Sequence, residues 1–159
     1  ELRLSSVSEF NENIDVGVMI ETASAAVIAD VLAPEADFFS IGTNDLTGYT
    51  MSCDRGNADV AYLYSVLQPG VLRLIRRTIQ CGRENGIPVG MCGVAAANPQ
   101  LIPLLISFGL TEFSVSAPSV LKVRKCISKW SKTEADKIAE KVMAMKTEEE
   151  IAAYLETIV

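Results

Sequence analysis

Short apolar runs alternate with longer helical patterns along the chain. Four runs have the length of buried strands and are bounded by turn residues: 14–20, 37–41, 87–92 and 112–116. A helical pattern follows each run: 23–32, 60–84 with a break at Pro69 and Gly70, 98–108 and 117–130. Because strands that alternate with helices form parallel βαβ units, the pattern predicts an α/β fold.

Two further helices are predicted at the end of the chain, over residues 133–145 and 147–159. Each pattern begins at a threonine, whose side-chain oxygen can cap the first turn of a helix. Thr147 is followed three residues later by Glu150, which is the spacing of a capping box.

Polar residues gather where the predicted strands stop. These residues are Glu21 and Thr22, then Thr43, Asn44 and Asp45, then Cys92 and Gly93, and finally Ser114 and Ser116. The carboxyl ends of parallel strands meet at one edge of the sheet, where α/β proteins place their functional groups. The sequence therefore predicts a site at this edge.

Glu21 and Asp45 follow neighbouring strands, which lie about 5 Å apart in a parallel sheet. Two carboxylates at that spacing suit a hard cation such as Mg²⁺, which also binds water and substrate oxygens. The chain has no histidine and no C-x-x-C pair, so it lacks the ligands that zinc sites usually use. The alternative for Glu21 is an acid that interacts with the dipole of the following helix.

Three other side chains near the strand ends have two interpretations each. Arg55 can clamp a phosphate or a carboxylate, or it can form a surface ion pair with Asp54 or Asp59. Asn44 can bind a ligand or cap the next segment. Cys92 can move a proton beside a metal and a phosphate, although most buried cysteines are inert.

Composition narrows the class of protein. The 159 residues are 49% hydrophobic and carry a net charge of −6, which favours one domain and makes nucleic acid an unsuitable partner. No apolar run is long enough to insert into a membrane. Four cysteines without paired spacing indicate free thiols and a cytoplasmic location. The chain begins at Glu1 rather than methionine, which indicates a piece of a longer protein.

Four segments resemble the phosphoenolpyruvate (PEP)-utilising enzymes, and the resemblance covers nearly the whole chain. The segments are Val16–Ala23, Phe38–Thr47, Asp54–Asn57 and Gly90–Gly93. Within that family the chain is most similar to enzyme I of the bacterial sugar phosphotransferase system. The segment Glu112–Ala117 and the basic helix after it favour enzyme I over pyruvate phosphate dikinase or PEP synthase.

The resemblance implies a (β/α)8 barrel of the TIM type, which typically needs about 250 residues. The chain, residues 1–159, then forms a single partial domain: the C-terminal half of the barrel, with about four parallel strands, followed by C-terminal helices. A half-barrel has open sheet edges, so we expect self-association.

The resemblance also implies roles for individual residues. Glu21 and Asp45 are the expected Mg²⁺ ligands, while Asn44, the Asp45 backbone and Arg55 are expected to bind the PEP phosphate. Cys92 is the expected general acid, which protonates the enolpyruvate carbon as pyruvate leaves. The resemblance to enzyme I implies that the phosphoryl group passes from PEP to an enzyme histidine and then to a histidine phosphocarrier protein for sugar uptake. That histidine belongs to an N-terminal domain, and the family is expected to form homodimers.

Two positions depart from the family pattern. Gly48 stands where glutamine is usual, and Val94 stands where an acidic residue or glutamine is usual. Both changes remove polar groups near the site. These losses favour an alternative function, that of a PEP-sensing or regulatory module without turnover. Another PEP-utilising enzyme, a pyruvate phosphate dikinase or a PEP synthase, is a further alternative.

Overall fold

The computed structural model describes residue 11 and residues 13–158. Four parallel strands form one sheet in the order β1-β2-β3-β4. The strands are β1 (Gly17–Ile20), β2 (Phe38–Gly42), β3 (Val89–Cys92) and β4 (Glu112–Phe113). Since each strand lies beside its neighbour in sequence and a helical connection returns the chain, the predicted α/β fold is confirmed. The arrangement is consistent with four consecutive β/α units of a TIM-type barrel.

Eight α-helices occur among the described residues, and short 3₁₀ turns join several of them. They are α1 (Ala23–Val27), α2 (Ala29–Leu32), α3 (Thr43–Met51), α4 (Pro69–Glu84), α5 (Ile102–Phe108), α6 (Val120–Ile127), α7 (Lys132–Ala144) and α8 (Glu148–Glu156). Among residues 11 and 13–158, none of these helices has the length and apolarity that crossing a membrane requires.

Several predicted boundaries were wrong. The stretch 60–84 is not one helix, because a 3₁₀ helix at Ala58–Leu63 precedes α4, which begins at Pro69 as the predicted break indicated. Proline suits the first helical position, since its missing N–H would have no partner there. The stretch 23–32 is interrupted at Ile28, which separates α1 from α2.

The start of α7 was also misplaced. Its N-cap is Ser131 rather than Thr133, because the Ser131 side chain and Glu134 form a reciprocal capping box. Thr147 caps α8 as predicted, and its hydroxyl accepts a hydrogen bond from the Glu150 N–H. The reciprocal half of the capping box does not form, because the Glu150 carboxylate accepts from the Lys146 N–H at 2.9 Å. Val159, the last residue of the predicted helix, lies outside the described residues.

The two faces of the sheet differ, because side chains alternate along each strand. Ile20, Phe39, Ile41 and Met91 are fully buried on the face that α4 covers. Met19 and Phe38 point to the other face and remain 46% and 38% exposed. This second face corresponds to the inner wall of a barrel, and the strands it belongs to lead directly to the predicted site.

The C-terminal helices pack on the outside of the α/β unit. α7 lies along α5, where Ala135, Ile138 and Val142 are buried. The Ser107 hydroxyl of α5 donates a 2.7 Å hydrogen bond to the Asp136 carboxylate of α7. Lys132 also pairs with Asp136, and these two donors lower the pKa of the Asp136 carboxyl below its usual range.

Candidate functional site

The polar strand end after β2 is the first turn of a helix. Gly42 is both the last residue of β2 and the N-cap of α3, so Thr43, Asn44 and Asp45 occupy the first turn. The apolar strand and the polar motif suggested a strand end, but the helix itself was missed. No side chain caps this helix at Gly42, and the N–H groups of the first turn therefore face the strand-end edge with a partial positive charge.

Glu21 lies beside this N-cap. Ile20 pairs with Ile41 in the sheet, so the residue after β1 lies level with Gly42. The Glu21 carboxylate oxygen Oε2 is 2.9 Å from the position that a Cβ atom on Gly42 would occupy. Glycine at position 42 is therefore what allows the Glu21 carboxylate to approach the start of α3.

A cavity of about 490 Å³ brings together three of the predicted site residues, Asn44, Asp45 and Arg55. The rest of its lining comes from α3, the loop after it and the end of the following 3₁₀ helix: Gly48, Tyr49, Ser52, Cys53, Asp54 and Tyr64. The structure does not place Glu21 or Cys92 in this lining. Those two residues lie at neighbouring strand ends, at the edge from which α3 begins.

Arg55 is exposed and directed by a tight turn. The Asp54 carboxylate accepts a 2.8 Å hydrogen bond from the Gly56 N–H, and this bond closes the turn. Ion pairs in the described part of the chain join Arg77 to Asp30 and Lys132 to Asp136. The structure thus does not show the surface pairing of Arg55 with Asp54 or Asp59 that was the alternative interpretation.

Gly48 determines how this loop folds over α3. The Cys53 N–H donates a 2.9 Å hydrogen bond to the Gly48 carbonyl, and Ser52 closes the helix in the left-handed conformation with φ of 53°. A Cβ atom on Gly48 would lie 3.2 Å from the Cys53 carbonyl oxygen, a tight contact. The glycine therefore makes room for the loop that carries Arg55.

The Cys92 thiol lies on the open face of the sheet. Its Sγ donates to the Ile41 carbonyl at 3.6 Å, and the Ser40 hydroxyl approaches the sulfur at 3.9 Å. Cys92 pairs with Gly42 in the parallel register, so the thiol lies one strand away from the start of α3. Cys92 is partly buried rather than sealed in the core.

The residue after Cys92 explains how the end of β3 can lie so close to α3. Gly93 has φ of +91°, and a Cβ atom on it would lie 2.5 Å from the Thr43 hydroxyl oxygen. The Thr43 hydroxyl donates to the Cys92 carbonyl at 2.9 Å, and the Val94 N–H lies 3.4 Å from the Asn44 amide oxygen. These contacts join the end of β3 to the first turn of α3.

Tyr64 is a site residue that the sequence analysis missed. Its hydroxyl donates a 2.8 Å hydrogen bond to the Asn44 carbonyl oxygen, and its ring lines the cavity. No motif signals this tyrosine, because it lies within the stretch 60–84, whose pattern indicated an ordinary helix. Its contact with α3 arises only when the 3₁₀ helix turns the chain back.

The donor set at the strand ends suits a hard cation. Glu21 and Asp45 offer carboxylate oxygens, and in the described part of the chain no group of three or more His, Cys, Asp or Glu side chains forms a closed metal cage. Mg²⁺ is commonly held by one or two carboxylates and keeps other positions for water and substrate oxygens. The approach of Glu21 over Gly42 leaves its carboxylate at the edge where such an ion would meet a ligand.

The four cysteines are free thiols, as the sequence predicts. Cys81 is buried in α4, and burial raises the pKa of its thiol above the usual range. A neutral, buried thiol is unreactive, which agrees with a structural role for Cys81.

Comparison with known proteins identifies the family. Residues 2–132 match the model of the PEP-utilising enzymes, PEP-binding domain. The chain is 50% identical over 145 residues to the phosphoenolpyruvate-protein phosphotransferase of Bacillus subtilis. The aligned region covers 91% of this chain and 25% of that protein.

Two further proteins of the same name show similar relationships. The Geobacillus stearothermophilus protein is 49% identical over 91% of the chain, and that of Listeria monocytogenes is 45% identical over 94% of it. The aligned regions cover 25% and 26% of these two relatives, so the chain spans about a quarter of their length. The chain belongs to the PEP-utilising enzymes and matches their PEP-binding domain.

Proposed function

We propose that the chain supplies the PEP- and Mg²⁺-binding part of a phosphoenolpyruvate–protein phosphotransferase. One observation supports this most directly: Asn44, Asp45 and Arg55 meet in one cavity at the start of α3. Glu21 and Cys92, from the strands on either side, lie at the same edge. The similarity to phosphotransferases supports the assignment of the reaction.

The phosphate of PEP binds at the start of α3. The uncapped N–H groups of the first turn attract an anion, because they carry the positive end of the helix dipole. Arg55 adds a charged fork from the loop after α3, and Asn44 adds an amide. Binding and orienting the transferred group in this way is the main means by which proteins accelerate phosphoryl transfer.

Glu21 and Asp45 would hold Mg²⁺ between the ends of β1 and β2. The ion, when bound, neutralises the negative charge that develops on the substrate. The two carboxylates keep it near the phosphate-binding turn, because Asp45 belongs to that turn and Glu21 lies over Gly42.

Cys92 handles the proton of the reaction. When the phosphoryl group passes to a histidine of the complete protein, the remaining enolate takes a proton at its methylene carbon and becomes pyruvate. The thiol supplies this proton and is left as a thiolate, which solvent reprotonates. In the reverse direction the thiolate removes the same proton from pyruvate.

Other properties of the complete protein follow from the same proposal. The phosphorylated histidine passes its phosphoryl group to a histidine phosphocarrier protein for sugar uptake, in the cytoplasm. A homodimer of the complete protein is proposed as well, because the resemblance to enzyme I implies one.

A second candidate is a module that binds PEP without turnover. It is favoured by Val94, which is 75% exposed next to the Cys92–Gly93 segment and offers no polar group there. Formation of pyruvate from PEP by the complete protein that carries this chain would exclude this candidate.

Titration of PEP by calorimetry, with and without Mg²⁺, tests the leading proposal. We expect Mg²⁺-dependent binding that Asp45→Ala weakens at least tenfold, about 1.4 kcal/mol or more. Asp59→Ala is the matched control, because Asp59 also lies in the first turn of a helical segment but outside the cavity. Binding that is indifferent to both Mg²⁺ and Asp45 would refute the assignment.

A further inference from the structure

Tyr64 reaches the phosphate-binding turn from a different segment of the chain. Its hydroxyl donates to the Asn44 carbonyl at 2.8 Å, and its ring lies 3.7 Å from the position that a Cβ atom on Gly48 would occupy. The ring also lines a second cavity of about 330 Å³, together with Thr43 and Thr47. Tyr64 and Asn44, which its hydroxyl contacts, line both the proposed phosphate cavity and its neighbour.

The backbone that presents Tyr64 is anchored on both sides. The Tyr64 N–H donates to the Ala61 carbonyl at 3.1 Å, which closes the preceding 3₁₀ helix. The hydroxyl of Ser65 donates to the Glu148 carboxylate at 2.8 Å and accepts from the Leu67 N–H at 3.2 Å. Leu67 is buried, so the Tyr64 hydroxyl projects from a segment held in a defined position.

The first turn of α3 needs such a support. It begins at Gly42, which has wide backbone freedom and no capping side chain. The Thr43 hydroxyl joins the turn to the end of β3, and the Tyr64 hydroxyl joins it, through the Asn44 carbonyl, to the segment after the 3₁₀ helix. A bond to a backbone carbonyl restrains the whole peptide unit, and the Asp45 N–H belongs to that unit.

We infer that Tyr64 is a positioning residue for the proposed phosphate site. Its hydroxyl holds the Asn44–Asp45 peptide so that the Asp45 N–H and the two side chains meet the ligand in one arrangement. The inference rests on the proposed function for its ligand, PEP, but its structural part concerns the free protein. A shift of the binding groups by a fraction of an ångström would weaken binding, because the site depends on orientation.

The test compares Tyr64→Phe with Tyr62→Phe in the complete protein that carries this chain. Phenylalanine at position 64 keeps the ring and removes only the hydroxyl that bonds Asn44. Tyr62 is the matched control because it lies two residues before Tyr64 in the same segment, is 78% exposed, lies outside the cavity lining, and makes no hydrogen bond through its hydroxyl to the described residues. Two readouts are measured: hydrogen exchange without ligand of the amides at residues 46–48, the first in α3 that can bond to a carbonyl four residues earlier, and PEP binding by calorimetry with Mg²⁺.

We expect Tyr64→Phe to speed exchange at residues 46–48 and to weaken PEP binding roughly three- to tenfold. Tyr62→Phe should change neither by more than about twofold. Ser65→Ala, which removes the anchor to Glu148, should shift both readouts in the same direction by a smaller factor. The melting temperature of each variant reports whether the fold is intact.

The outcomes separate the inference from the proposed function. Unchanged exchange in Tyr64→Phe overturns the positioning role, whether or not the protein binds PEP. Faster exchange with unchanged PEP affinity also overturns it, because the hydroxyl would then stabilise the turn without serving the site. If the unsubstituted protein fails to bind PEP, the proposed function fails while the exchange experiment still decides whether Tyr64 holds the turn.

Discussion

The Thr43 hydroxyl donates a 2.9 Å hydrogen bond to the carbonyl of Cys92, although 49 residues separate them in sequence. This bond joins the first turn of α3 to the end of β3. It connects the segment proposed to bind phosphate with the residue proposed to move a proton. Thr43 is only 1% exposed, so water cannot replace the hydroxyl if it is removed.

Replacing this threonine tests the importance of the bond. Thr43→Val keeps the shape and removes the donor, which leaves the Cys92 carbonyl without that partner. We expect a loss of about 1–2 kcal/mol in the free energy of unfolding, measured by urea denaturation. Thr47→Val is the control, because Thr47 is equally buried but donates to a carbonyl of its own helix, that of Thr43. An equal loss in both variants would show that the bond between the strand and the helix contributes no more to the free energy of unfolding than a bond within the helix.

Gly93 combines an extended backbone of positive φ, with φ of 91° and ψ of 179°, with a close neighbour. Gly93→Ala should lower the free energy of unfolding by more than the roughly 1–3 kcal/mol that this backbone conformation alone costs. The added Cβ atom would lie 2.5 Å from the Thr43 oxygen, so the excess reports the displacement of Thr43. Gly86→Ala is the control for a glycine of positive φ without a close neighbour, since Gly86 has φ of +71° and no atom lies within 4 Å of an added Cβ atom. The prediction is wrong if the two variants are equally stable in chemical denaturation.

Gly48→Ala should separate stability from binding. Alanine favours a helix over glycine by up to about 1 kcal/mol, and the loop at Cys53 can move by the few tenths of an ångström required. We therefore expect unchanged or higher stability, with PEP binding weakened roughly two- to fivefold as the loop carrying Arg55 shifts. Gly70→Ala is the control, because an added Cβ there would only touch Thr50 at 3.9 Å. Calorimetry and thermal melts of both variants check this, and tighter PEP binding by Gly48→Ala would contradict it.

The pKa of Asp136 predicts how the stability of the fold depends on pH. Hydrogen bonds from Lys132 and Ser107 lower the pKa of its carboxyl in the folded state, so the ionised form stabilises the fold above the pKa of the unfolded chain. This contribution starts to fall below about pH 3.9 and is lost once the pH drops below the folded-state value. Asp136→Asn should therefore lower the melting temperature at pH 7, and the difference from the unsubstituted protein should shrink in acid. Glu140→Gln is the control on the same helix, and a difference that stays constant with pH would refute the explanation.

Much of the fold could be predicted because its signals are local. Four apolar runs bounded by turn residues indicated the four strands, and Pro69 marked the true start of α4. Predicted helix boundaries were wrong where two local signals competed. Ser131 and Thr133 are both good N-caps, and only the reciprocal bond with Glu134 selects Ser131. The helix at 43–51 was missed because its first turn carries polar residues and its middle carries Gly48.

The candidate site was also predictable only where its signals are local. The sequence alone determined the types of residue, their order and the strand ends at which they occur, because strand patterns and a parallel sheet place those ends together. The roles of Glu21, Asn44, Asp45, Arg55 and Cys92 stay predictions. The tertiary structure alone decided which of these residues share a cavity and which side chains hold them. Asn44, Asp45 and Arg55 share it, Glu21 and Cys92 flank it, and Tyr64 and Thr43 hold its first turn. These contacts join segments far apart in the chain, and local sequence patterns do not encode such distances.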